Sequence, residues 1–437
     1  MNKQDIKPKR KRYIVSFSFV NYLHGASGIA KVILAHQQMY NNADISYINL
    51  FAVKKMVCDD KYTLFCVYGL IVDGEYKGIY QMNQLIDMFQ LWNISGGKML
   101  DIHIHHLLYI KLGQIRFLLS SFSNVPIKVY IHDYYNACSN YTLIRNGETY
   151  CGGLGLNPEH CAGCRSYINS LERTTKIHAF LDEFSKRIIF ISPSEVAKKV
   201  FCNFYVTYQD KVMVIPHQCF DMRYTGNMDA VAENSKIIIG FLGRPAFHKG
   251  WRQWEKLCSV NKKDSYEFLL FNSYDETYPN MRTVKIGYMA ENLNAMTDAL
   301  TKHKVDVVLL WALWPETYSY TCFEAFSANT FIITNTISGN ITDVVKNNRN
   351  GIILNSESEL FELFDDPHRL RELVNTFKKS AIYGPNQLYE NPEIVRLSLL
   401  ESGEELTTAN LENKSRFVNL PLLWLLRWMY THGKIRG

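Results

Sequence analysis

The sequence predicts an α/β protein built from two doubly wound domains. Three observations carry that prediction. Short runs rich in Ile, Val and Phe alternate with helical patterns along the chain, as in parallel sheets covered on both faces. The runs fall into two series, one per domain. Between Val214 and Lys236 the stretch "HQCFDMRYTGNMDAVAENS" loses strand character and marks the boundary. The 437 residues suffice for two domains of ordinary size, and 47% hydrophobic with 21% charged residues is a globular rather than a disordered balance. A net charge of +6 is too mild for this length to indicate a nucleic-acid partner. No apolar run reaches the roughly 18 to 20 residues that span a bilayer. A cytoplasmic chain is therefore expected, whose ten cysteines are reduced and serve metal binding or packing rather than disulfides.

The basic tip, 1–12, ends in "KPKRKR" (Lys7 to Arg12), which reads as a solvated, disordered end or a contact for anionic lipid or phosphate. The first domain is placed at 13–217. Its opening "YIVSFSFV" suits a strand better than a signal peptide, because a glycine-bearing loop and an amphipathic helix follow at once. Gly25 and Gly28 permit a tight turn, and Ile29, Val32, Ile33 and Tyr40 share one helical face. A strand, a glycine turn and a helix start make a natural anion site, since free backbone N–H groups face the ligand. The dinucleotide fingerprint G-x-G-x-x-G is missing, so a plain strand-to-helix turn stands beside that reading. "DIHIHHLLY" puts His103 and His105 on one strand face and His106 on the other; packing beside His132 is favoured over a metal site. "KVYIHD" is a strand ending at His132 and Asp133, and "RIIFISPS" and "KVMVIP" complete the first series.

The insert 138–164 contains Cys138, Cys151, Cys161 and Cys164. The last two form C-x2-C, a spacing that lets two thiolates share a tetrahedral ion, and the intervening glycines give a knuckle its backbone freedom. A structural zinc and four unligated thiols are both compatible with that pattern.

The second domain, 236–390, carries the strands "KIIIGFLG", "EFLLFN", "VDVVLLWA", "TFIITNT" and "GIIL". Gly243 ends the first of these, with Arg244 next and Lys249 five residues later. Ligands of doubly wound sheets bind at such carboxyl ends of strands, and an arginine fork with a lysine point charge suits a diphosphate. "WPETYSYTCFEAF" follows the third strand. It places Glu316 in a loop and Glu324 about two turns inside a helix starting near Tyr318. Carboxylates accept hydrogen bonds from vicinal hydroxyls, so sugars and riboses are their natural ligands, and the helix start between them offers amides to phosphate. "TNTISGNITDVV" adds another strand, a turn at Gly339 and a helix start. The tail, 391–437, ends in "FVNLPLLWLLRWMYTHGKIRG" (Phe417 to Gly437). It is too short to cross a bilayer and is read either as an interfacial segment or as a helix returning to the first domain.

Arg244 and Lys249 in "GRPAFHKG", the Glu316/Glu324 pair and "ISGNITDVVKNNRNGIIL" together resemble the retaining nucleotide-sugar glycosyltransferases of the GT-B fold, the group 1 (family 4-like) enzymes of polysaccharide assembly. The resemblance covers most of 236–355 and, more loosely, the first half. It implies that Arg244 and Lys249 bind the donor diphosphate, Glu324 the nucleotide ribose, and that Glu316 and His132 lie beside the donor sugar. Gly28 would line the donor site from the first domain. Ser319 and Asn329 stand where the family usually has glycines, so backbone contacts there are less secured than side-chain roles. The implied donor is a UDP-, GDP- or dTDP-linked sugar. The implied acceptor is a glycan, lipid-linked at the inner membrane face, in capsule, O-antigen or related surface polysaccharide synthesis. No D-x-D motif marks a catalytic metal. A nucleotide-sugar epimerase of the same shape and a non-catalytic transferase-like subunit are the rival readings.

Overall fold

The computed structural model describes residues 6–25, 27–53, 67–221, 229–260, 264–287, 294–380 and 387–401. The first part of the chain holds β1 (Arg12–Ser18), α1 (Gly28–Asn42), β2 (Ile45–Ala52), β3 (Val67–Val72), β4 (Glu75–Gln81), α2 (Met82–Ile94), β5 (Lys98–Ile104), α3 (Leu112–Ser121) and β6 (Ile127–Tyr130). After a small hairpin, β7 (Ile144–Arg145) and β8 (Thr149–Tyr150), come α4 (Tyr167–Glu183), β9 (Ile188–Ser192), α5 (Glu195–Phe204), β10 (Val212–Val214) and β11 (Gln218–Asp221). The second part holds β12 (Ile237–Leu242), α6 (Trp251–Ser259), β13 (Tyr266–Asn272), β14 (Arg282–Lys285), α7 (Ala295–Lys302), β15 (Val307–Leu309) and α8 (Tyr320–Ser327). It ends with β16 (Phe331–Asn335), α9 (Asn340–Asn348), β17 (Gly351–Leu354), α10 (Glu357–Asp365), α11 (Pro367–Lys379), β18 (Gln387–Glu390) and α12 (Glu393–Glu401).

Two large sheets result. The second has the order β14-β13-β12-β15-β16-β17 and every pair in it is parallel, with β12 at its centre. The first has the order β10-β9-β6-β5-β1-β2-β3-β4. It departs from the all-parallel expectation: β2 pairs with β3, and β3 with β4, antiparallel. The tight turn at Asp73 and Gly74, both at positive φ, closes that edge hairpin directly, which only antiparallel strands allow. The basic tip is also more engaged than a solvated end. Lys9 pairs with Glu75 at 2.6 Å, Arg10 reaches the buried Asp73 carboxylate at 3.3 Å, and Arg12 begins β1.

Strands β1, β2 and β3 are buried along almost their whole length, so they read as apolar runs rather than alternating ones. Lys128 on β6 is fully buried and pairs with Asp101 on β5 at 2.7 Å, as a buried ion must. The two parts are stitched together twice. β11 pairs antiparallel with β18, and α12 then packs on the first domain, where the Tyr40 hydroxyl donates to the Ile394 carbonyl and bonds Ser398. Residues beyond Glu401, including the aromatic segment Phe417 to Gly437, lie outside the described residues.

Candidate functional site

The carboxyl ends of both sheets face one cleft of about 950 Å³. Gly28, His132, Arg244, Lys249, Glu316, Ser319 and Glu324 all line it. From the first domain, Ser27 caps α1 by accepting from the Ala30 amide, which presents Gly28 and the helix start to the cleft. A Cβ on Gly28 would stand 4.0 Å from the Tyr320 ring, an ordinary contact.

From the second domain, β12 ends at Gly243, whose φ of +92° turns the chain so that Arg244 projects outward. A single turn of tight helix, Phe247 to Lys249, then ends at Gly250 (φ +79°), where a Cβ would meet the Trp311 carbonyl at 2.3 Å. The Leu313 amide donates to the His248 carbonyl at 2.9 Å, so this loop is fastened to the one carrying Glu316. Lys249 is thereby close enough to act on the Glu316 carboxylate.

Glu316 is held by its surroundings on every side. Its Oε1 accepts from the Trp314 indole at 3.1 Å, and its backbone carbonyl accepts from the Asn340 amide at 2.9 Å. Residues of the first domain grip the flanking backbone. The Tyr134 hydroxyl donates to the Pro315 carbonyl (2.9 Å), Ser194 Oγ to the Thr317 carbonyl (2.7 Å), and Thr317 Oγ1 to the His132 carbonyl (2.6 Å). Burial pushes the Glu316 carboxyl above its ordinary range, against the pull of Lys249 and the Trp314 hydrogen bond.

The helix after Glu316 begins at Tyr320 rather than near Tyr318, because Ser319 is its N-cap and accepts from the Cys322 amide. Glu324 is thus the fifth residue of an eight-residue helix, a little over one turn from its start rather than two. It is buried, ion-paired with Lys31 of α1, and its Oε2 has no hydrogen-bond partner. Ser319 has a φ of −107°, so the position where the family usually has glycine imposes no strain here. Asn329 sits at φ +56°, a left-handed conformation that asparagine tolerates.

His132 is stacked on Tyr130 and His105, and its Nε2 lies 3.0 Å from His105 Nδ1. Burial drives its imidazole well below the ordinary range, with His217 adding to the effect. His106 bonds the Asp133 carboxylate at 3.2 Å, on the other side of the strand end. His36, His103 and His105 form the one group of three His, Cys, Asp or Glu donors within 4.8 Å among the described residues. His105 already bonds both Tyr47 and His132.

The four insert cysteines share one neighbourhood, since Cys151 feels Cys138, Cys161 and Cys164 electrostatically. Cys138 is buried and bonds Ser170 Oγ at 3.3 Å. Buried nitrogens without partners surround this loop: Arg145 Nε, His160 Nε2, and Arg173 Nε and Nη2.

Four cleft residues escaped the sequence reading: Lys31, His217, His248 and Tyr320. His217 stacks on Tyr320 with ring centroids 6.0 Å apart, and burial takes its imidazole down to about 3. His248 falls to about 4 through burial and the neighbouring Lys249. Lys31 reads in sequence as an ordinary helix-surface lysine. Only the packing of α1 against α8 shows its task.

No protein-family model matches this chain. An uncharacterized 42.6 kDa protein in the cps region of Klebsiella pneumoniae is 28% identical over 112 residues, which is 26% of this chain and 29% of that protein. Solved structures match over most of the chain. Sucrose-phosphate synthase from Thermosynechococcus elongatus has a TM-score of 0.51 at 12% identity, covering 89% of this chain and 98% of its own. Anabaena HepE in complex with UDP-glucose has a TM-score of 0.51 at 9% identity, covering 85% and 93%. The catalytic domain of starch synthase IV from Arabidopsis thaliana, bound to ADP and acarbose, has 0.51 at 10% identity, covering 90% and 100%. Two Rossmann-like domains facing one cleft, matched over about nine-tenths of the chain to such structures, give this chain the GT-B fold.

Proposed function

We propose that the chain is a retaining glycosyltransferase that moves a sugar from a nucleotide donor to a glycan acceptor. The observation that carries the reading is the convergence of Arg244, Lys249, Glu316 and Glu324 in one cleft, with His132 facing them from the other domain. In this reading Arg244 and Lys249 hold the diphosphate and offset the charge that grows on it as the glycosidic bond breaks. Glu324 accepts from ribose hydroxyls. Glu316, fixed by contacts from both domains, lies beside the donor sugar, and His132 meets the donor sugar and acceptor. The nucleotide complexes among the structural neighbours support a nucleotide-sugar donor. In this reading it is UDP-, GDP- or dTDP-linked. The cps-region relative supports capsule or related surface polysaccharide synthesis. The acceptor in this reading is a lipid-linked glycan at the inner membrane face.

Within the insert, Cys138, Cys151, Cys161 and Cys164 supply the donor set of a structural zinc and share one neighbourhood, but no three of their sulfurs lie within 4.8 Å of one another, so a zinc held by them would draw the thiols together. A zinc there would brace the insert and take no part in the transfer.

A panel of nucleotide sugars, assayed for nucleoside diphosphate release with and without glycan acceptors, tests the function. One donor should be turned over by the wild type. Arg244→Ala and Lys249→Ala should each lose about tenfold or more, the worth of a charge-assisted contact of about 1.5 to 3 kcal/mol, while melting normally. Wild-type kinetics in both variants, or conversion of donor alone into an epimer, would overturn the proposal.

A further inference from the structure

We infer that Lys31, on the first domain, is a positioning residue of the donor site: it fixes one oxygen of Glu324 and supplies the cation that balances that carboxylate, leaving the other oxygen for the ligand. The inference rests on the donor-site reading of Glu324.

The geometry is specific. Lys31 Nζ bonds Glu324 Oε1, and the two side chains are only 19% and 4% exposed. The ammonium also lies 4.8 Å from the centre of the Tyr320 ring, so its charge is shared with an aromatic face. That leaves Glu324 Oε2 buried, with no hydrogen-bond partner, in a residue that lines the cleft. A buried acceptor oxygen without a donor is costly unless a ligand hydroxyl meets it. Lys31 stands on the fourth residue of α1, and Glu324 on α8 of the other domain, so nucleotide recognition by the second domain depends on a charge supplied by the first.

Removing that charge has a predictable result. Glu390 on β18 lies in the same neighbourhood without direct contact to a cation, and burial lifts its carboxyl to about 7. Glu324 deprived of Lys31 faces the same burial. Glu324 and Glu390 both act on Tyr320 at the start of α8, on whose ring His217 stacks. The exposed Asp298 and Lys302 lie on α7, which packs against α8. His217 is held down to about 3 and stays neutral near pH 7. The only cation in direct contact with the carboxylate among the described residues is Lys31.

The test is nucleoside diphosphate titration by calorimetry at about pH 6 and about pH 8. UDP, GDP, dTDP and ADP serve as probes. Because Glu390 titrates in the same window, each comparison is repeated in the Glu390→Gln background. Read relative to wild type at the same pH, which cancels the probe's own phosphate ionisation, Lys31→Met should bind about tenfold more weakly at the lower pH and recover at the higher one. Lys31→Arg should restore the wild-type profile, and Glu324→Gln should be weaker than wild type by the same factor at both. A Lys31→Met protein with unchanged affinity at both pH values would overturn the inference. So would an equal loss at both, because that marks a direct contact to phosphate. Wild type that binds none of the probes would instead bring down the donor-site reading on which the inference stands.

Discussion

Replacing Gly339 by alanine should impair catalysis far more than folding. Gly339 has φ +66° and ψ −123°, a conformation that side chains rarely adopt and that costs about 1–3 kcal/mol. An added Cβ would lie 2.6 Å from the Glu316 amide nitrogen, 2.6 Å from the Pro315 carbonyl carbon and 2.7 Å from the Glu316 carbonyl oxygen. Ordinary contact is about 3.5 Å, so the Glu316 loop would have to retreat by about 1 Å. That loop is also held to the first domain, by hydrogen bonds from Tyr134 and Ser194 and from its own Thr317 to the His132 carbonyl. Retreat therefore breaks contacts worth about 1 kcal/mol each and misplaces Glu316. A displacement of about 1 Å at a reacting centre commonly costs about a hundredfold in rate. Nucleoside diphosphate affinity should stay within about threefold, since Arg244 and Glu324 do not ride on that loop. The assay is kcat and KM with the donor found by the panel, calorimetry with nucleoside diphosphate, and a melting curve. Gly287→Ala is the control, because a Cβ there meets nothing within 4 Å. A Gly339→Ala enzyme with kcat within threefold of the control would refute the argument that this backbone contact sets the position of Glu316.

Two further outcomes separate the proposed roles. Glu324→Gln should weaken nucleoside diphosphate binding itself, whereas Glu316→Gln should spare that binding and depress kcat, because only contacts stronger in the transition state raise rate. If both variants merely melt lower by about 0.5 to 2 kcal/mol with normal kinetics, the carboxylates are structural. Protein prepared without chelator should carry close to one equivalent of zinc by metal analysis, and Cys161→Ser should release it and lower the melting temperature. Metal-free protein of unchanged stability would reject the zinc.

The parts of the fold legible in the sequence are those whose physics is local. Strands such as "KIIIGFLG" and "TFIITNT" are buried on both faces, so they stand out as apolar runs whatever they pair with. The edge hairpin was not legible, because "EYKGIYQ" on β4 is half exposed and its mixed pattern carries no sign of the antiparallel partner. The candidate site divides the same way. Arg244, Lys249, Glu316 and Glu324 were found through spacing within one domain. Lys31 lies 293 residues from Glu324, and His217 meets Tyr320 only where two chain segments cross between domains. No periodicity records such meetings. The helix start lies two residues later than expected because Ser319 spends its hydroxyl on the Cys322 amide and so caps the helix there.

Burial, more than composition, sets the charge of the cleft near neutral pH. His132, His217 and His248 are all driven down and remain uncharged there, so the positive charge rests on lysines and arginine. Lys31 is committed to Glu324, and Lys249 acts on Glu316. Arg244 is exposed, with its guanidinium 5.8 Å from the centre of the Tyr274 ring. In the proposed donor complex the diphosphate then draws on Lys249, which until that point lowers the Glu316 carboxyl. Glu316 is already raised by burial, and sharing its cation with the diphosphate raises it further. The same event that seats the donor therefore adds to the upward push on the Glu316 carboxyl. Lys249→Met should raise that carboxyl even without donor, which links the two residues as one functional unit rather than two independent ligands.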